Sequence, residues 1–147
     1  MNKNPVAVVT GGNRGMGLAT CRGLADLGHS VILCSRNTTE GEQQAASMRD
    51  AGLDVRSVEL DVLNPDHISA LVAHLESDHQ RVDVLVNNAG ILNDGSSDTG
   101  SIFDADIEAV ELSFRVNTAA PLALTKALLP MMQARDYGRV VNVSTGK

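Results

Sequence analysis

Short β-branched runs alternate with helical periodicity along the whole chain. Val6-Ala7-Val8-Val9 reads as a buried strand. A helix is predicted from Gly15 to Leu27, with Met16, Ala19, Gly23, Leu24 and Leu27 roughly on one face and Gly28 as its stop. Val31-Ile32-Leu33-Cys34 reads as a second strand. Thr39 and Glu42 have the spacing of a capping box, opening a polar helix that runs to Ala51 before Gly52. Val55 to Leu60 is the third predicted strand. Asn64-Pro65 then caps a helix whose Ile68, Leu71, Val72 and Leu75 recur at i, i+3, i+4 and i+7. Val82 to Val86 is the fourth strand, followed by a Gly/Ser/Asp-rich loop from Asn93 to Ser101. A long helical region from Asp104 to Ala134 is broken or bent near Asn117 and Pro121, and Val140 to Val143 is the fifth strand.

This alternation implies βαβ units and a parallel sheet covered on both faces. Right-handed crossovers leave few topologies. The expectation is an α/β, doubly wound parallel sheet, a Rossmann-type three-layer αβα arrangement. Its strand order is 3-2-1-4-5 for the strands present, and it is incomplete at the C-terminus. The 147 residues form one domain, residues 1–147, with no repeat, linker or low-complexity tract.

Composition narrows the function. Eighteen acidic against 12 basic residues give a net charge of −6, which argues against a nucleic-acid binder held by phosphate contacts. Phe103, Phe114 and Tyr137 are the only aromatic residues, too few for a base-stacking platform. No run approaches the roughly 18 apolar residues of a membrane span. The N-terminus lacks a signal-peptide pattern. Cys21 and Cys34 both sit in apolar segments and read as reduced, buried thiols, so a cytoplasmic protein is expected.

The sharpest motif is Thr10-Gly11-Gly12-Asn13-Arg14-Gly15-Met16-Gly17, which follows a strand and opens a helix. Gly11 permits the sharp turn, Gly15 lets backbone approach a pyrophosphate, and Gly17 allows tight helix–strand packing. The helix start adds unpaired N–H groups and a positive dipole end for phosphates. A Gly-rich turn can exist without a ligand. The flanking strand, the following helix and a second strand at the right distance favour dinucleotide binding here.

The spacing is T-G-x-x-x-G-x-G, and Asn87-Asn88-Ala89-Gly90 follows the fourth strand. Together they resemble the short-chain dehydrogenase/reductase family. Leu60-Asp61-Val62 and Gly138-Arg139-Val140-Val141-Asn142-Val143-Ser144 extend the resemblance from Val6 to Gly146. Val116-Asn117-Thr118-Ala119-Ala120-Pro121-Leu122 looks most like its carbonyl-reductase-like members.

An acidic residue at the tip of the second strand bonds ribose hydroxyls and repels a 2′-phosphate. Ser35 stands there, uncharged, with Arg36 next and Arg14 in the glycine turn. Two guanidinium groups suit one phosphate, and the resemblance points the same way, so NADP(H) is expected over NAD(H). The bland alternative is that Arg36 is a solvated surface arginine. The resemblance implies a cofactor site built from Gly11, Asn13, Arg14, Gly15, Met16, Gly17, Ser35, Arg36, Asp61, Val62, Asn87, Asn88, Ala89 and Gly90. In it Asp61 accepts from the adenine amino group and Val62 packs beside it. A turn aspartate is the plainer reading of Asp61.

The family's chemistry uses a tyrosine acid, a lysine four residues on, a serine and an asparagine. Asn117 matches the asparagine, which holds a water near the lysine. The serine is normally second of a pair, here Ser144-Thr145, so Thr145 takes that place and Ser144 is the alternative. Threonine keeps the hydroxyl and adds a stiffer χ1. The tyrosine and lysine are absent: Val141, not lysine, lies four residues past Tyr137. In the family, that helix and two further strands follow the point where this chain ends. The chain is therefore expected to be the N-terminal part of a longer reductase domain, with its fifth strand as an exposed edge open to self-association.

The implied activity is hydride transfer between NADPH and a ketone or aldehyde, or the reverse from an alcohol, with a small-molecule substrate and no nucleic acid or membrane partner. Two rivals remain. One is a catalytically incomplete NADP(H)-binding module acting as a sensor or partner-binding protein. The other is a non-redox binder of a sugar nucleotide or flavin. His29, His67, His74 and His79 show no metal-ligand pattern and are expected at the surface. Met131 and Met132 are expected to pack in the long helix. Asp94, Asp98 and Asp104 lack the spacing of a calcium loop.

Overall fold

β1 (Val6–Thr10) lies at the centre of a five-stranded parallel sheet, flanked by β2 (Ser30–Ser35) on one side and β4 (Val84–Asn87) on the other. β3 (Val55–Glu59) lies beyond β2, and β5 (Arg139–Asn142) beyond β4, giving the expected order β3-β2-β1-β4-β5. The computed structural model describes residues 4–92 and 101–144.

Helices cover both faces, so the central strands are apolar without alternation. Every β1 residue is buried. Ala7, Val9, Val31, Leu33 and Val86 pack against α1 (Gly15–Asp26) and α2 (Thr38–Asp50) through Cys21, Ala25, Ala45 and Met48. Val6, Val8, Ile32 and Leu85 face the other way, onto Leu71 and Leu75 of α3 (Pro65–Asp78) and Leu124, Leu128 and Met132 of α5 (Ala120–Gln133). Both cysteines are free and buried, and burial pushes the Cys21 thiol up to about 12.

Two of the element starts differ from expectation for local reasons. α2 starts earlier than the Thr39–Glu42 pattern predicts, because Asn37 is its cap: the Asn37 side chain accepts from the Glu40 N–H at 3.1 Å. β4 starts at Val84, not Val82: Asp83, just before it, accepts the Val6 N–H on its buried carboxylate at 2.7 Å and donates its own N–H to the Val6 carbonyl at 2.9 Å. Arg81 reaches the same carboxylate through Nε at 2.7 Å and through a second nitrogen at 2.5 Å. The long helical region is interrupted near Asn117 and Pro121, as expected: α4 (Ile107–Phe114), one π turn (Arg115–Ala119) and α5. The π turn is closed by the Ala120 N–H on the Arg115 carbonyl. Pro121 has no N–H to give the Asn117 carbonyl, so the ordinary ladder cannot pass through this point.

The histidines also differ. His79 is buried at the end of α3, edge-on to His74, and the other three are part-buried. β5 is an edge strand whose four residues are all exposed, including Val140 and Val141. Met132 is buried and Met131 packs against the core, as expected. Among the described residues no helix is long and apolar enough to cross a membrane.

Candidate functional site

A groove of about 680 Å³ opens at the C-terminal ends of the strands. It lies where the chain switches from one half of the sheet to the other, between β1 and β4. That is the crevice where open α/β sheets hold ligands.

The glycine turn forms its floor. Gly11 and Gly15 have positive φ of 62° and 55°, the left-handed region that favours glycine. A Cβ on Gly15 would meet nothing within 4 Å, so the backbone here is bare toward the groove. A Cβ on Gly17 would collide with the Gly11 carbonyl oxygen and with Asn88 Nδ2. The turn at Gly11 and the close packing at Gly17 are those their spacing implied. The start of α1 has no side-chain cap and no acidic residue in its first turn, which leaves the helix's positive end to the groove.

Thr10 and Asn88 lock the turn to the segment after β4. Thr10 Oγ1 accepts from the N–H groups of Asn88 at 3.0 Å and Ala89 at 2.9 Å. Asn88 Nδ2 donates back to the carbonyls of Thr10 at 3.0 Å and Gly11 at 3.2 Å. This closure fixes the groove width.

Of the predicted cofactor residues, Gly11, Asn13, Arg14, Gly15, Met16, Gly17, Ser35, Arg36, Asp61, Val62, Asn88, Ala89 and Gly90 all line the groove. Asn87 does not. It is buried behind the groove, and its Nδ2 donates to Asn142 Oδ1 at 2.9 Å, tying β4 to β5. Its side chain follows Leu85 on the face covered by α3 and α5, where it braces the sheet. Ser35 is buried, and its hydroxyl is used on Asn37, donating to the carbonyl at 3.0 Å and accepting from the N–H at 3.1 Å. Asp61 lines the groove and also shapes a turn: its Oδ1 accepts from the Leu63 N–H at 3.0 Å.

Asn117 sits in the π turn. Its side chain grips the Ile91 backbone, donating to the carbonyl at 2.6 Å and accepting from the N–H at 2.9 Å. Ile91 lines the groove; Asn117 stands one step behind it. Ser144 is exposed just past β5 and does not line the groove. Thr145 and most of the loop expected from Asn93 to Ser101 lie outside the described residues.

Sequence reasoning missed Thr10 as the locking hydroxyl, and it missed Asn37, Glu40, Ile91, Leu112 and Val116 as lining. Glu40 is the informative omission. Its Oε2 accepts from Asn13 Nδ2 at 2.6 Å, bridging α2 and the glycine turn. Arg14 and Arg36 share the groove, and neither has an ion-pair partner among the described residues.

A match to the short chain dehydrogenase family runs over residues 5–147. A short-chain dehydrogenase/reductase of Aspergillus fumigatus is 35% identical, the alignment covering 99% of this chain and 56% of that protein. Carbonyl reductase [NADPH] 1 of Mus musculus is 36% identical over 98% of this chain and 50% of its own length. Among solved structures, a metagenomic short-chain oxidoreductase in complex with NADP superposes with a TM-score of 0.86 at 34% identity, over 96% of this chain and 62% of that one. The chain spans about half the length of the curated relatives it matches. Glycine turn, sheet order and sequence similarity agree along almost all its residues, and the chain belongs to the short-chain dehydrogenase/reductase family of oxidoreductases.

Proposed function

We propose that this chain is the cofactor-binding domain of an NADP(H)-dependent oxidoreductase. Its reaction is hydride transfer between NADPH and the carbonyl of a ketone or aldehyde, with the alcohol as substrate in reverse. The observation that carries the cofactor choice is the pair Arg14 and Arg36, both facing the groove and both without an ion-pair partner among the described residues. A phosphate monoester is the ligand that two free guanidinium groups fit best. The family relatives support the reading: one is named as an NADPH carbonyl reductase and one was solved with NADP.

The residues present fit a dinucleotide. The open space above Gly15 and the uncapped start of α1 suit a pyrophosphate. In this reading Asp61 and Val62, which line the groove, take the adenine, with the Asp61 carboxylate as acceptor for its amino group. Asn88, Ala89 and Gly90 form the wall toward the reacting end. When bound, the nicotinamide supplies or takes the hydride. Asn117 orients the Ile91 segment of that wall. A hydroxyl from Thr145 or Ser144 polarises the substrate carbonyl in this reading, raising the positive character of the carbon that receives hydride.

The test is a steady-state assay of the protein as the cell makes it, following NADPH absorbance over a panel of ketones and aldehydes. Carbonyl-dependent loss of NADPH is the expected result. NADPH that binds yet is never consumed with any carbonyl would remove the reductase reading and leave a binding module.

A further inference from the structure

We propose that Glu40 is a specificity-determining residue that works against the two arginines, weakening NADP(H) and favouring NAD(H). The inference rests on the dinucleotide reading above and refines it. Two contacts hold Glu40, one of them on its carboxylate. At the backbone, the Glu40 N–H donates to the Asn37 cap at 3.1 Å, anchoring the first turn of α2. At the side chain, Asn13 Nδ2 donates to Oε2 at 2.6 Å, holding the carboxylate back toward the glycine turn. Asn13 directly precedes Arg14, and Asn37 directly follows Arg36. The negative charge is thus tethered through the immediate neighbours of both arginines, while pairing with neither.

The chemistry then separates the two cofactors. A carboxylate at the tip of the second strand normally accepts from ribose hydroxyls and repels a 2′-phosphate. Here that tip is Ser35, whose hydroxyl is used on Asn37. The carboxylate enters the same groove from α2 instead, five residues on. Asn13 occupies Oε2, so the second oxygen of Glu40 can accept from a ribose 2′-hydroxyl. A 2′-phosphate, with about −1.5 to −2 charges near neutral pH, meets the same oxygen as a repulsion. Arg14 and Arg36 attract that phosphate, so the net preference is a contest between one fixed anion and two cations. Glu40 is exposed, so its effect is screened by salt.

The experiment is a fluorescence titration of NADPH and NADH against the natural protein and Glu40→Gln, at low and high ionic strength. Glutamine keeps an oxygen for Asn13 and removes the charge, so the melting temperature should not move. The expected result is an NADPH Kd lower by about fivefold, an NADH Kd unchanged or slightly higher, and an NADPH gain that shrinks as salt rises. An equal change for both cofactors, or an NADPH gain indifferent to salt, would overturn the proposal while leaving dinucleotide binding intact. Failure of the natural protein to bind either cofactor would overturn both.

Discussion

Asn117 and Ile91 are joined by two hydrogen bonds across 26 residues of sequence, amide to backbone in both directions. The pair couples the π turn of the long helical region to the wall of the groove. A Cβ on Gly90 would stand 3.2 Å from Asn117 Oδ1, so the glycine lets the two segments approach. Asn117→Ala removes both bonds from a largely exposed site, where water replaces them in part. The expected cost is about 1 kcal/mol, or roughly 4 °C in Tm. The larger effect should be on ligand: dinucleotide affinity falls several-fold as Ile91 loosens. A calorimetric melt with a parallel binding titration checks this, and an unaltered affinity would show that Asn117 does not shape the groove.

Two glycines of the same turn should behave differently. Gly17→Ala places a methyl against the Gly11 carbonyl and Asn88 Nδ2, where backbone must move. It should cost about 3 kcal/mol or more and uncouple the turn from the β4 segment. Gly15→Ala meets no atom and carries only the strain of a φ of 55°, about 1 kcal/mol. Its methyl instead fills the space assigned to the pyrophosphate. Urea unfolding should rank Gly17→Ala far below Gly15→Ala, while both lose the cofactor. Equal stabilities would refute the packing role of Gly17.

Acid should destabilise the fold in two separate limbs. Burial, then the nearby positive charges of His74 and Arg56, hold the His79 pKa below its ordinary 6.5, while Asp78 and Asp54 oppose them. The folded state therefore prefers neutral His79, and stability falls as pH drops through 6.5 toward the lowered value. Burial pushes the Asp83 carboxyl up, but hydrogen bonds from Arg81 and the Val6 N–H outweigh it and leave the pKa below the ordinary 3.8. Its contribution is present above 3.8 and is lost as pH falls through that lower value. Denaturant melts across pH should show both limbs, and His79→Gln should remove only the upper one. An upper limb that survives His79→Gln would assign it elsewhere.

Much of this molecule is legible from its residues. The apolar run Val6 to Val9 reads as a buried strand and is one, and Asn64-Pro65 marks a helix start that the structure keeps. The glycine spacing located the groove because backbone conformation and close approach are local demands. What escaped depends on contacts between distant segments. Thr39 and Glu42 imitate a capping box, but Asn37 wins because Ser35 has already turned the chain there. Val82 looks like strand, yet the Asp83 carboxylate captures the Val6 N–H. Glu40 reads as an ordinary acidic residue in a first helical turn, and only its contact with Asn13, 27 residues away, brings it into the site. Nothing in the sequence separates His79 from the other three histidines expected at the surface; only the fold buries its ring at the end of α3, edge-on to His74.

The central claim is that Arg14 and Arg36 make this groove an NADP(H) site. The most direct measurement is a titration of NADPH, NADH and a flavin nucleotide against the natural protein and Arg36→Ala. NADPH should bind, the flavin should not, and Arg36→Ala should weaken NADPH at least about tenfold, the loss of one charge-assisted phosphate contact, while barely touching NADH. Equal weakening of NADPH and NADH, or tight flavin binding, would contradict the account.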